Sequence, residues 1–103
     1  MTEFKEVLRD ISCQLDKAEY YAGEARKHKA EYPDLAAVYA KVAACHKDNA
    51  EMLTRQAEAM VNHAEHEKHA DAMKMEVVFE YARDRAEMDI ENVDRKLTQY
   101  RNE

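Results

Sequence analysis

Apolar and small side chains recur over residues 3–31 at Phe4, Leu8, Ile11, Leu15, Ala18, Ala22 and Ala25, in alternating steps of four and three. A seam with that period keeps one helical face turned toward a neighbour. Pro33 breaks it: proline holds the preceding Tyr32 in extended geometry and suits the first turn of a new helix. From there a second seam runs through Leu35, Val38, Val42, Cys45, Asn49, Met52, Gln56, Ala59 and His63. A flanking stripe adds Tyr39, Ala43, His46, Ala50, Leu53, Ala57, Met60 and Ala64. A face this wide predicts that the second helix meets more than one neighbour.

A third pattern runs through Met75, Phe79, Ala82, Ala86, Ile90, Val93, Leu97 and Tyr100, widened early by Val78 and Tyr81. Basic Arg95, Lys96 and Arg101 near its end suit the negative pole of a helix dipole. The predicted helices cover about 3–31, 34–63 and 71–101. Between the second and third lies a polar run, Asn62 to His69, without Gly or Pro, and Asp71 is placed to cap a new helix. Two readings stand at this join: a turn, or one continuous helix through both patterns, which would make the chain a long coiled-coil rod.

Composition narrows the fold to the all-α class. One Gly, one Pro and no Trp in 103 residues leave little with which to build the turns of a β-rich domain. The length allows a single domain, residues 1–103. The expected architecture is an antiparallel helical hairpin plus a third helix, a three-helix bundle that is thin as a monomer. The wide face of the second helix implies a partner, most simply a second copy. Two hairpins pairing into a four-helix core, with the third helices alongside, would bury that face.

The net charge of −6 is spread along the chain, with no basic segment. Nucleic-acid binding therefore has no electrostatic footprint, and no apolar run is long enough to span a membrane. The opening Met1-Thr2-Glu3-Phe4-Lys5-Glu6 does not read as a signal peptide. Cys13 and Cys45 are separate and read as reduced thiols of a cytoplasmic protein, small core residues rather than nucleophiles.

Chemistry-bearing patterns are few. Ser12 is the only serine and has no base at helical spacing, one glycine cannot make a phosphate-binding loop, and no CxxC or HExxH occurs. His63, His66 and His69 are spaced by three, but the outer two lie roughly 120° apart around a regular helix, so the run reads as a solvated turn. The tyrosines are expected to pack their rings and expose their hydroxyls. Asn49 and Gln56 interrupt the second seam and read as polar residues that set register at a helix interface; the other reading makes them remnants of a buried site.

Three stretches carry a family resemblance. They are Asp16-Lys17-Ala18-Glu19-Tyr20-Tyr21-Ala22, then Tyr32-Pro33-Asp34-Leu35-Ala36, then Val42-Ala43-Ala44-Cys45-His46-Lys47-Asp48-Asn49-Ala50-Glu51-Met52-Leu53. In order and spacing they resemble the short ferritin-like proteins of bacteria and phages, with a Glu-bearing first helix, a Pro-Glu-Leu helix start and a Glu-x-x-His metal helix. The tail from Val78 to Tyr100 is similar to the last helix of the phage-borne forms. The resemblance implies a ferritin-like bundle of phage or prophage type.

Carried over by position, the first-helix Glu ligand falls on Asp16 or Glu19, the bridging Glu on His46, and the His on Asn49. Where the third helix would bring Glu-His, this chain has Ala82-Arg83. A dimetal site needs several inward carboxylates with Glu-x-x-His. Neutral His46 cannot bridge two metals as a carboxylate does, and Asn49 is a poor transition-metal ligand. The expectation is a non-enzymatic scaffold or protein-interaction module without ferroxidase activity and without a cofactor. Its expected interface is Leu35, Val38, Val42, Cys45, Asn49, Met52 and Gln56, serving a homodimer or another protein. The alternative is an iron- or zinc-binding protein using Asp16, Glu19 and His46 at a subunit interface.

Overall fold

The computed structural model describes residues 2–103. Three antiparallel helices follow one another, α1 Thr2–His28, α2 Pro33–His66 and α3 Ala72–Asn102. Their packing makes a slender bundle of 56 × 18 × 15 Å. The seam expected on α1 is the one it buries: Phe4, Ile11, Leu15, Ala18, Ala22 and Ala25 are all closed to solvent. On α3 the buried residues are Met75, Phe79, Ala86, Val93 and Leu97, again on the expected face.

The wide face of α2 is divided between two destinations. Ala36, Ala43, Ala50, Ala57 and Ala64, each seven residues from the next, turn inward together with Val61. Methyl side chains at the contact let helix axes approach near the lower end of the usual 8–10 Å. The larger residues of the seam, Leu35, Val38 and Met52, are left 40%, 56% and 50% exposed. So the flanking stripe forms the intrachain core, and the seam looks outward.

Each turn has a local cause, and both shift the expected bounds. Helix α1 stops at His28 rather than near 31, because residues 29–31 are needed to reverse the chain before proline. The Tyr32 N–H donates to the His28 carbonyl at 2.8 Å, closing an α-turn. Tyr32 has φ −132° and ψ 67°, the non-helical geometry required before Pro33. Helix α2 runs three residues past the expected 63 and ends in a Schellman motif. The His69 N–H bonds the Ala64 carbonyl at 2.9 Å and the Lys68 N–H bonds that of Glu65 at 3.1 Å. Lys68 takes the left-handed position with φ 53°, where glycine is usual.

Two helices joined by this turn replace the continuous-rod reading. Asp71 does stand at the start of α3, but its side chain makes no capping bond. Its N–H instead donates to His69 Nδ1 at 3.1 Å.

The core has two parts. Toward the α2–α3 turn it is built from Phe4, Ile11, Leu15, Val61, Met75 and Phe79 against the α2 alanines. Toward the α1–α2 turn it is a smaller group, Ala18, Ala22, Ala43, Val93 and Leu97, bordered by Tyr21 and Ala40.

Candidate functional site

The outward side of the α1–α2 hairpin concentrates the polar and aromatic groups that the core does not use. Val7, Gln14, Tyr21 and His28 form a half-buried row of heptad spacing on α1. Opposite them on α2 run Tyr39, His46, Leu53 and Met60, also half-buried. In the middle, Gln14 Oε1 accepts from His46 Nδ1 at 2.7 Å and from Asn49 Nδ2 at 3.3 Å. Because an amide oxygen can only accept, His46 meets Gln14 through its Nδ1–H.

Aromatic stacking extends this node toward the α1–α2 turn. The Tyr21 ring lies between His46, 5.8 Å away at 13°, and Tyr39, 5.6 Å away at 29°. His28 continues the ladder at 5.9 Å from Tyr39 and is tied to Glu24 at 3.1 Å. These contacts fix the hairpin's register with offset stacking and one shared acceptor. The tyrosines thus divide: Tyr21, Tyr39 and Tyr100 are half-buried, whereas Tyr20, Tyr32 and Tyr81 are 60%, 56% and 70% exposed.

Beside the ladder lies the seam itself. Cys45, Met52, Gln56, Ala59 and His63 are exposed along it, and Val42 and Asn49 are half-buried. An open depression between Gln14 and Asn49, Met52, Leu53, Arg55 and Gln56 marks its centre. Cys13 and Cys45 are free thiols, and both are exposed rather than in the core. Each follows a buried residue by two positions, which places it roughly 200° around the helix from Ile11 or Ala43. His63, His66 and His69 are all exposed around the second turn, as a solvated turn requires.

The structure separates the residues considered for metal. Glu19 faces α3, where its Oε1 lies 3.2 Å from Lys96 Nζ. Asp16 is exposed on that side of α1 and lines the same open depression as Glu19 and Lys96. His46 lies on the α2 side, bonded to Gln14, so one chain does not bring the three together. Among the described residues, no three His, Cys, Asp or Glu side chains converge as a metal site would need.

A second depression runs between α1 and α3, a groove of about 360 Å³ lined by Leu8, Ile11, Leu15, Val78, Tyr81, Arg85 and Asp89. Burial holds the Asp89 carboxyl above its usual range. Arg85 opposes the shift, and the carboxylates of Glu19 and Asp16 add to it. Sequence reasoning did not find this groove. The only available signal was the widening of the third pattern by Val78 and Tyr81.

Comparison with protein-family models, curated proteins and solved structures finds no match to this chain. The class that the fold defines is an all-helical, three-helix bundle. No described helix is long and apolar enough to cross a membrane.

Proposed function

We propose that this chain is a non-enzymatic helical scaffold that works by protein contact, and that the outward seam of α2 is its contact face. One observation carries the reading. Leu35, Val38 and Met52 of the α2 seam are exposed, while five alanines at heptad spacing and Val61 form its inward face. Exposed apolar side chains gathered on one helix face mark an interaction site in soluble proteins. The resemblance to short ferritin-like proteins supports the same reading, because His46 and Asn49 stand where a bridging carboxylate and a histidine ligand would be needed.

Self-association through the seam makes thermal stability depend on protein concentration, since anything that binds only the folded chain stabilises it by mass action. Tm is expected to rise with concentration in the wild type and to become independent of it in Val38→Asp. A Tm that ignores concentration and added partner alike would sink the contact reading. The scaffold also predicts no change in Tm on adding Fe(II) or Zn(II). A rise that His46→Ala abolishes would favour the metal-binding alternative through a site built between subunits.

A further inference from the structure

The charges bordering the seam indicate what covers it. Asp34, Lys41, Asp48 and Arg55 follow one another at intervals of seven on the side of the seam away from α1. All four are exposed, and none forms an ion pair among the described residues. Their signs alternate along the row: minus, plus, minus, plus.

Laid fully alongside a second copy, a row of that kind meets opposite charges only when the copy is reversed. With two copies of α2 antiparallel, like rows face each other, as flanking positions do in antiparallel coiled coils. The seam residues restrict slippage to whole heptads. One register sets Asp34 against Arg55 and Lys41 against Asp48 of the second copy, and two-fold symmetry repeats both pairs. Shifted one heptad either way, the facing charges are alike: Asp34 with Asp48 and Lys41 with itself, or Lys41 with Arg55 and Asp48 with itself. Shifted by two heptads, one kind of opposite pair survives. A parallel pair would set the row against Tyr39, His46, Leu53 and Met60, which offer no carboxylate and no permanent cation.

We propose that the partner of the α2 face is a second copy of this chain, bound antiparallel about a two-fold axis near Ala44. This deepens the contact reading above and rests on it. The layers in that register are Leu35 with Met52, Val38 with Asn49, and Val42 with Cys45, each made twice. They extend over roughly 26 Å of helix at 1.5 Å per residue. Asn49 enters its layer with its amide already donating to Gln14 of its own chain, so the group is not left bare. Apolar layers supply the association, and the rim charges choose orientation and register.

The test is sedimentation equilibrium on the full chain at low salt, comparing wild type, Asp34→Arg, Arg55→Asp and the two combined. The wild type is expected to dimerise. Each single reversal sets like charges opposite one another twice and is expected to weaken the dimer roughly tenfold or more. The double variant restores opposite pairs and is expected to return close to the wild-type dissociation constant. Circular dichroism checks that the bundle is intact in each variant; all these side chains are exposed.

A wild type that stays monomeric overturns the second copy as partner. A dimer indifferent to the reversals, or one that the double variant fails to restore, overturns the antiparallel register. If Val38→Asp dissociates that same dimer, the contact face stands and only the register falls. If the dimer survives Val38→Asp as well, the contact face itself is wrong.

Discussion

The two ends of the bundle are held together by different means. Toward the α2–α3 turn, Phe4, Ile11, Leu15, Val61, Met75 and Phe79 fill the space between the helices. Toward the α1–α2 turn the core is mostly alanine, with Val93 and Leu97 from α3. That second end carries every interhelical ion pair among the described residues: Arg26–Glu103 at 2.7 Å, Lys47–Asp94 at 2.8 Å and Lys96–Glu19 at 3.2 Å. Lys29 Nζ adds a bond to the Tyr100 carbonyl. Bulky apolar groups bury more area per contact, about 25 cal/mol per Å², whereas exposed ion pairs contribute about 0.2–1 kcal/mol each. The first end therefore supplies most of the stability, and the second supplies geometry, a close α1–α2 approach that leaves the α2 seam outside.

The sharpest way to break this contrast is Phe79→Ala. It should cost about 3–5 kcal/mol through lost burial and a residual cavity, read as a lower urea midpoint. The alanine end should fail in the opposite sense. Ala22→Leu inserts volume between close helices and should cost about 1–3 kcal/mol by overpacking. If Ala22→Leu proved neutral in urea unfolding, the close approach would not be real.

Lys68→Gly should stabilise by about 1 kcal/mol, because the left-handed position costs an L residue roughly that much. Tm should rise by several degrees with the fold unchanged.

Removing the Lys47–Asp94 pair by Lys47→Gln should cost less than about 1 kcal/mol, and less still in high salt. Asp94 holds the Lys47 ammonium above its ordinary value of 10.5 against the opposing effect of burial. Its contribution is then fully present below pH 10.5 and fades as pH rises through the folded value. The difference in stability between wild type and Lys47→Gln should close above that point.

The smallest expected effect lies at Asp89, whose carboxyl is raised from 3.8 chiefly by burial. The folded chain disfavours its charged form, so Asp89→Asn should unfold at slightly higher temperature at neutral pH. That advantage should vanish below pH 3.8, where both chains are uncharged at this position.

The sequence alone disclosed the helices and two of the three buried faces. On α1 and α3 large and small apolar residues share one row, so period and size agree. On α2 they disagree: Leu35, Val38 and Met52 are the larger residues, yet the alanines at 36, 43, 50, 57 and 64 are inside. An unbroken alanine heptad is a signal for close helix approach, but side-chain size draws the eye to the other row. The cysteines were misplaced for the same reason: apolar character was taken as burial, while their angle on the helix put them outside. The Gln14–His46–Asn49 node joins residues more than 30 positions apart in sequence. His46 and Asn49 were singled out, but nothing local pointed to Gln14.

The dimensions of the bundle also affect how its mass is measured. A particle about three times as long as it is wide has more frictional drag than a sphere of the same 12.0 kDa. On a sizing column a single chain will therefore run ahead of compact standards of its own mass. Elution volume alone would overstate the mass of a single chain, so scattered light or sedimentation equilibrium must give the stoichiometry.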